Sequence, residues 1–190
     1  MAEFRIETER LILREWRDND VAPLLEICRD PRVMEFLGPL QTEEDIRTAI
    51  ARQREHQERL GHCYWVIERK SDSEMLGFCG IQSGPEGTPL AGQPDIGWRL
   101  AYSHWGNGYA REAATASLDW GFEILPDDDI WAITTPGNIR SWGLMERLGM
   151  RRHPDLDFEH PNVLDGSPLK SHITYSISRP SMDPKPLSHG

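Results

Sequence analysis

The chain has 190 residues, a formal net charge of −10, 38% hydrophobic residues and 27% charged residues. That length suits one domain able to fold without disulfide or metal staples, and no apolar run approaches the roughly 20 residues of a membrane span. The opening MAEFRIETER has no apolar signal core, and so acidic a chain repels nucleic acid unless its basic residues cluster.

Leu11–Trp16 begins as an apolar run and reads as a strand. Asp18 or Asn19 is then placed to cap a helix carrying Val21, Leu24, Leu25 and Cys28 on one face, ended by Asp30-Pro31. Thr42, with Asp45 three residues on, caps a second helix that runs to Leu60 and stops at Gly61. Its apolar stripe is narrow, which places it on the outside. Cys63–Glu68 and Leu76–Ile81 read as a hairpin across a polar turn. The segment 84–94 holds three glycines and three prolines counted from Gly84 to Gly92 and Pro85 to Pro94, and reads as an irregular loop.

Asp95–Leu100 is a strand whose interior Gly97 suggests a bulge or a close backbone approach. Tyr109–Leu125 is the strongest helix, with Ala110, Ala113, Ala114, Leu118 and Leu125 on one side and Ser117 and Gly121 as small fillers. A strand at Ile130–Thr135, a helix at Asn138–Leu148 stopped by Gly149, and a strand at His172–Ser178 complete the pattern. The fold class is α+β, or mixed α/β, in one domain over 1–178, with 179–190 as a frayed tail.

Cys28, Cys63 and Cys79 are odd in number and lack metal-ligand spacing, as packing residues of a reducing, cytoplasmic protein would. The seven histidines form no HxH or HxxxH group, so no metal is expected. The basic groups Arg10/Arg14/Arg17, Arg52/Arg54 and Arg151/Arg152 are diluted by carboxylates and read as solvated surface.

Two segments carry chemistry. Trp105-Gly106-Asn107-Gly108-Tyr109-Ala110 follows a strand and opens the best helix. Two glycines let backbone approach a ligand, and the unbonded N–H groups of a first helical turn favour an anion such as a pyrophosphate. The segment is neither GxGxxG nor GxxxxGK[ST], which removes the dinucleotide and P-loop motifs. The second segment, Thr135-Pro136-Gly137-Asn138-Ile139-Arg140-Ser141, lies at another strand-to-helix turn and runs into Met145–Met150.

In this order and at this distance, the two segments resemble the GNAT family of acyl-CoA-dependent N-acetyltransferases, in its RimJ/RimL-type branch. Thr8–Arg14, Asp30–Met34 and Ile96–Leu100 resemble further stretches of that family. The resemblance implies a mostly antiparallel mixed sheet, flanked by helices and splayed between its fourth and fifth strands. It implies acetyl-CoA as donor, with the pyrophosphate on the backbone of Trp105, Gly106, Asn107, Gly108, Tyr109 and Ala110, although Trp105 departs from the family's usual Gln or Arg. Pantetheine would lie along Trp98 and Leu100, and Asn138 would orient it or the helix entrance. Asp95, one methylene shorter than the branch's Glu, would be the base. Met145 stands where many relatives have the acidic Tyr, which leaves Ser141, or a water in its place, as the acid. Trp16, Phe36, Leu37, Trp65 and the 84–94 loop would surround the acceptor. The implied partner is an amine-bearing substrate, either a peptide N-terminus or a small molecule, and a homodimer is compatible. A non-catalytic acyl-CoA sensor on the same fold is the alternative that Met145 and the short Asp95 favour.

Overall fold

The computed structural model describes residues 4–180. Among the described residues nine strands form the sheet: β1 (Arg5–Glu7), β2 (Leu11–Arg14), β3 (Tyr64–Arg69), β4 (Met75–Ser83), β5 (Pro94–Leu100), β6 (Asp129–Thr134), β7 (Arg151–Arg152), β8 (Phe158–Glu159) and β9 (Ser171–Ser178). The helices are α1 (Val21–Arg29), α2 (Pro31–Met34), α3 (Glu43–Leu60), α4 (Tyr109–Ile124) and α5 (Ile139–Arg147). The strand order is β1-β2-β3-β4-β5-β6-β9-β7, with β8 on the edge of β9, and every pairing but β5–β6 is antiparallel.

The helix signals hold where they are local. Thr42 Oγ1 accepts from Asp45 N–H at 3.2 Å and Asp45 Oδ2 accepts from Thr42 N–H at 2.8 Å, a reciprocal cap. Gly61 closes α3 at φ 78°, where a side chain would be strained. α4 buries Ala113, Ala114, Ser117, Leu118 and Gly121 against the sheet. Gly121 is needed for that approach, since a Cβ there would stand 2.5 Å from Ile81 Cδ1 and 2.8 Å from Ile130 Cδ1. α1 and α2 cover the opposite face, where Trp16 packs against Phe78 and Cys28 against Arg99.

Several expectations are corrected. Neither Asp18 nor Asn19 caps α1: a 3₁₀ turn at Asp18–Asp20 precedes it. Asp20 turns inward because Arg14 is buried, not solvated, and pairs with it at 2.8 and 2.9 Å. Asp30-Pro31 ends α1 but also starts α2, with Asp30 accepting from Arg32 N–H at 2.9 Å. β1, β7 and β8 are two or three residues long, too short for periodicity to reveal. Arg179 is anchored rather than frayed, since its guanidinium donates to the carbonyls of Phe122, Leu125 and Asp127. The rest of the expected tail, 181–190, lies outside the described residues.

Gly97 makes no bulge. The β4–β5 register runs unbroken from Gly77↔Leu100 to Ser83↔Pro94. The close approach is the true reason for this glycine: a Cβ at Gly97 would lie 2.8 Å from the Tyr64 ring and hydroxyl. The sheet parts instead on the other edge of β5, which meets β6 only at Asp95↔Trp131. Cys28, Cys63 and Cys79 are all buried free thiols.

Candidate active site

The parting of β5 from β6 leaves backbone groups without a neighbouring strand. Gly84 N–H donates to Gln93 O at 2.7 Å and Ala101 N–H to Leu76 O at 2.9 Å, continuing the β4–β5 ladder at both ends. Antiparallel bonding alternates, so odd-numbered residues of β5 bond β4; Ile96 lies beside the one bridge to β6, and Trp98 and Leu100 turn their N–H and C=O toward the gap. The Leu100 carbonyl already accepts Trp105 Nε1–H at 2.9 Å, whereas Trp98 presents both groups.

A cleft of about 830 Å³ follows this edge. It starts at Trp105, Gly106, Gly108 and Ala110, passes Trp98 and Leu100, and is walled on the far side by Asn138, Ser141 and Met145. It ends among Phe36, Leu37, Tyr64, Phe78, Pro85, Asp95 and Arg99. Gly106 and Gly108 have φ of 77° and 81°, the left-handed region that lets the chain fold back before α4. Asn107 and Tyr109, expected at the anion, do not line the cleft. Asn107 gives its carbonyl to Arg10 Nη1 at 3.0 Å, and the same guanidinium lies 4.5 Å over the Tyr109 ring. Glu112 fixes Arg10 from below, accepting its Nε–H at 2.7 Å, its backbone N–H at 2.8 Å and the Thr8 hydroxyl at 2.6 Å. This buttress turns the Asn107 carbonyl away from the cleft.

Asn138 is the N-cap of α5, its side chain accepting from Ser141 N–H at 3.4 Å. That holds the first turn of α5 and with it the Ser141 hydroxyl, which makes no hydrogen bond among the described residues. Met145 is 1% exposed and brings only apolar surface.

Alternation along β5 puts Asp95, Gly97 and Arg99 on one face. Asp95 is 4% exposed; Tyr64 Oη donates to its Oδ2 at 3.1 Å, and its Oδ1 has no partner. Burial pushes the Asp95 carboxyl up to about 7, against the opposing effect of the Tyr64 hydrogen bond. Tyr64 in turn is held well above its usual range by its own burial and by the adjacent carboxylate.

Two residues expected around the acceptor are core instead. Trp65 is fully buried, stacked on Phe4 at 4.3 Å and edge-on to Trp120 at 4.9 Å. Trp16 is buried beneath the chamber, where its Nε1–H bonds the Tyr64 carbonyl at 2.6 Å. Phe36, Leu37 and Pro85 do line the cleft. Tyr64, Phe78 and Arg99 were missed, though their shared face follows from the pairings Val66↔Phe78 and Phe78↔Arg99 once the register is known. Among the described residues no three His, Cys, Asp or Glu side chains gather to hold a metal, and no helix is long and apolar enough to cross a membrane.

The chain is 35% identical over 150 residues to the uncharacterized protein YkkB of Bacillus subtilis (strain 168), across 78% of this chain and 86% of YkkB. It is 29% identical over 180 residues to the uncharacterized N-acetyltransferase YoaA of the same organism, across 92% and 97%. The solved GNAT-family acetyltransferase from Bacillus anthracis has a TM-score of 0.76 at 25% identity, covering 94% of this chain and 100% of that one. A family model for the acetyltransferase (GNAT) domain matches residues 10–151, the stretch from the Arg10 buttress past α5. The chain belongs to the GNAT acetyltransferase family, whose enzymes transfer an acyl group from acyl-CoA.

Proposed function

We propose that this protein moves an acetyl group from acetyl-CoA to a primary amine by direct attack in a ternary complex, as an enzyme of the RimJ/RimL-type branch. The observation that carries this reading is the single cleft joining the glycine turn, the unpaired edge of β5 and a buried carboxyl. The pyrophosphate of the donor sits on the amides of the turn where it lines the cleft, at Trp105, Gly106, Gly108 and Ala110. Pantetheine pairs with Trp98 and with the N–H of Leu100 as an added strand. The thioester then lies between Asp95 and Ser141.

The chemistry asks for position first, since holding amine and carbonyl in line removes most of the entropic cost. Asp95 takes a proton from the amine, directly or through water. Its ionisation near neutrality matches that task, because a base works best when its pKa lies near the working pH. Ser141 gives its proton to the departing thiolate. Asn138 positions Ser141 through the cap.

A thermal-shift titration tests the donor assignment. Acetyl-CoA is expected to raise the melting temperature, with ~2.7 kcal/mol of stabilisation at a hundredfold excess over Kd, and ATP or NAD is expected to leave it unchanged. No response to millimolar CoA contradicts the assignment.

Two further substitutions separate the parts. Ser141→Ala is expected to lower kcat while CoA affinity stays near wild type, because the hydroxyl acts in the transition state; a wild-type kcat removes Ser141 from the mechanism. Arg10→Ala is expected to weaken CoA about 3- to 10-fold by calorimetry, since it releases the Asn107 carbonyl and a hydrogen bond is worth ~0.5–1.5 kcal/mol. Its melting temperature should barely move, because Arg10 is an exposed partner in its ion pair. Unchanged affinity would show that the turn holds its shape alone.

A further inference from the structure

We infer that the acceptor carries a carboxylate as well as its amine, and that Arg99 receives it. The inference deepens the reading of acetyl transfer to an amine and rests on it.

Asp95 and Arg99 project from the same face of β5 into the same chamber. Each carries a buried polar atom with no partner, Asp95 Oδ1 and Arg99 Nε. Asp95 is 4% exposed and has used only its other oxygen, on Tyr64. Arg99 has spent one end of its guanidinium on a weak acceptor, the Cys28 sulfur at 3.1 Å, and lies 5.3 Å over the Phe78 ring. Among the described residues no carboxylate pairs with it. Arg99 is half-buried at the wall of the cleft, and a ligand carboxylate there gives its guanidinium the counter-charge that the described residues do not supply.

The end of the guanidinium left over on Arg99 is Nη2, which has no hydrogen-bond partner among the described residues. Its charged N–H groups donate strongly to a carboxylate oxygen. The opposite sign at Asp95 suits the amine. Chamber and acceptor thus match in order: carboxyl to amine at one end, guanidinium to carboxylate at the other, with Phe36, Tyr64 and Phe78 between.

Strand geometry sets the spacing. The two residues are four apart, about 13 Å between Cα atoms at ~3.3 Å per residue. Both side chains leave the same face of the strand, so one small acceptor can reach both when an acidic side chain stands on the residue that bears the amine. The amine itself can belong to a free acidic amino acid or to a peptide that begins with one.

The test uses acceptors that differ in one group. Aspartic acid α-amide is paired with asparagine α-amide, and a peptide beginning with Asp is paired with its Asn counterpart; thiol release from acetyl-CoA is followed for each. The wild type is expected to favour the acid of a pair about tenfold or more in kcat/KM, and the pair that responds tells whether the source is a small molecule or a peptide. Arg99→Gln is expected to bring the acid-to-amide ratio near one, and Arg99→Lys to keep part of it. A wild-type ratio near one in both pairs overturns the inference while leaving acetyl transfer standing. So does a ratio that survives Arg99→Gln. Absence of thiol release with all four amines, while another primary amine is acetylated, overturns the inference and leaves acetyl transfer standing; absence with every primary amine tried overturns acetyl transfer, and the inference falls with it.

Discussion

Asp95→Asn is expected to lower kcat/KM by about 10²–10⁴-fold, the usual worth of general base help, and to make the protein more stable above neutral pH. The two effects have one origin. Burial raises the carboxyl from its ordinary 3.8 to about 7. Between those values the native state keeps a proton that the unfolded chain has lost, so stability falls as pH rises from about 4 to about 7 and stays reduced above. The gap of about three pH units corresponds to ~4 kcal/mol as a ceiling. Asn carries no charge at any pH and removes that loss. Denaturant melts at pH 4 and pH 8 check it: the variant should nearly match wild type at pH 4 and exceed it at pH 8. In the wild type, kcat/KM should rise through about pH 7 as Asp95 ionises, and this limb should vanish in the variant. An unchanged pH profile would leave positioning and the amine's own basicity as the catalytic account.

Gly108→Val is expected to weaken CoA by roughly 10- to 100-fold, the equivalent of one charge-assisted hydrogen bond of ~1.5–3 kcal/mol. Gly108 sits at φ 81°, where a β-branched residue is a true outlier. Its Cβ would also stand in contact with the buttress that holds the turn, 3.4 Å from Arg10 Nη2, so the penalty comes from the backbone angle. The turn must rotate, and its amides leave the phosphate position. Calorimetry with CoA reads the loss, and circular dichroism confirms that the variant is folded. A folded Gly108→Val with wild-type affinity would make Gly108 a simple turn residue. Gly106 offers a comparison, since it shares the left-handed φ but a Cβ there meets no atom within 4 Å.

What was legible in the sequence was local. The Thr42/Asp45 cap, the Gly61 stop and the small-residue stripe of α4 are written within a few residues of one another, and each was found at its place. The glycine turn was legible for the same reason, and both its glycines have the positive φ that the motif requires. What failed depends on partners far away in the chain. Arg14 looked like surface until Asp20 and Glu68 closed over it, 6 and 54 residues away. Trp65 looked like an acceptor wall until Phe4 and Trp120 packed on it. Gly97 was read rightly as a close approach but wrongly as a bulge, because only the register reveals that Tyr64 is the intruder. Arg99 gave no signal at all. One arginine in a strand is unremarkable until its Nε proves to be buried without a partner in the same chamber as Asp95.

The most direct test is a product assay: purified protein, acetyl-CoA and a panel of primary amines, with CoA thiol and N-acetyl product measured together over time. Acetyl transfer predicts that thiol and N-acetyl amine appear in equal amounts, at a rate that depends on both donor and acceptor. Tight binding of acetyl-CoA with no acetylated amine from any acceptor would contradict it.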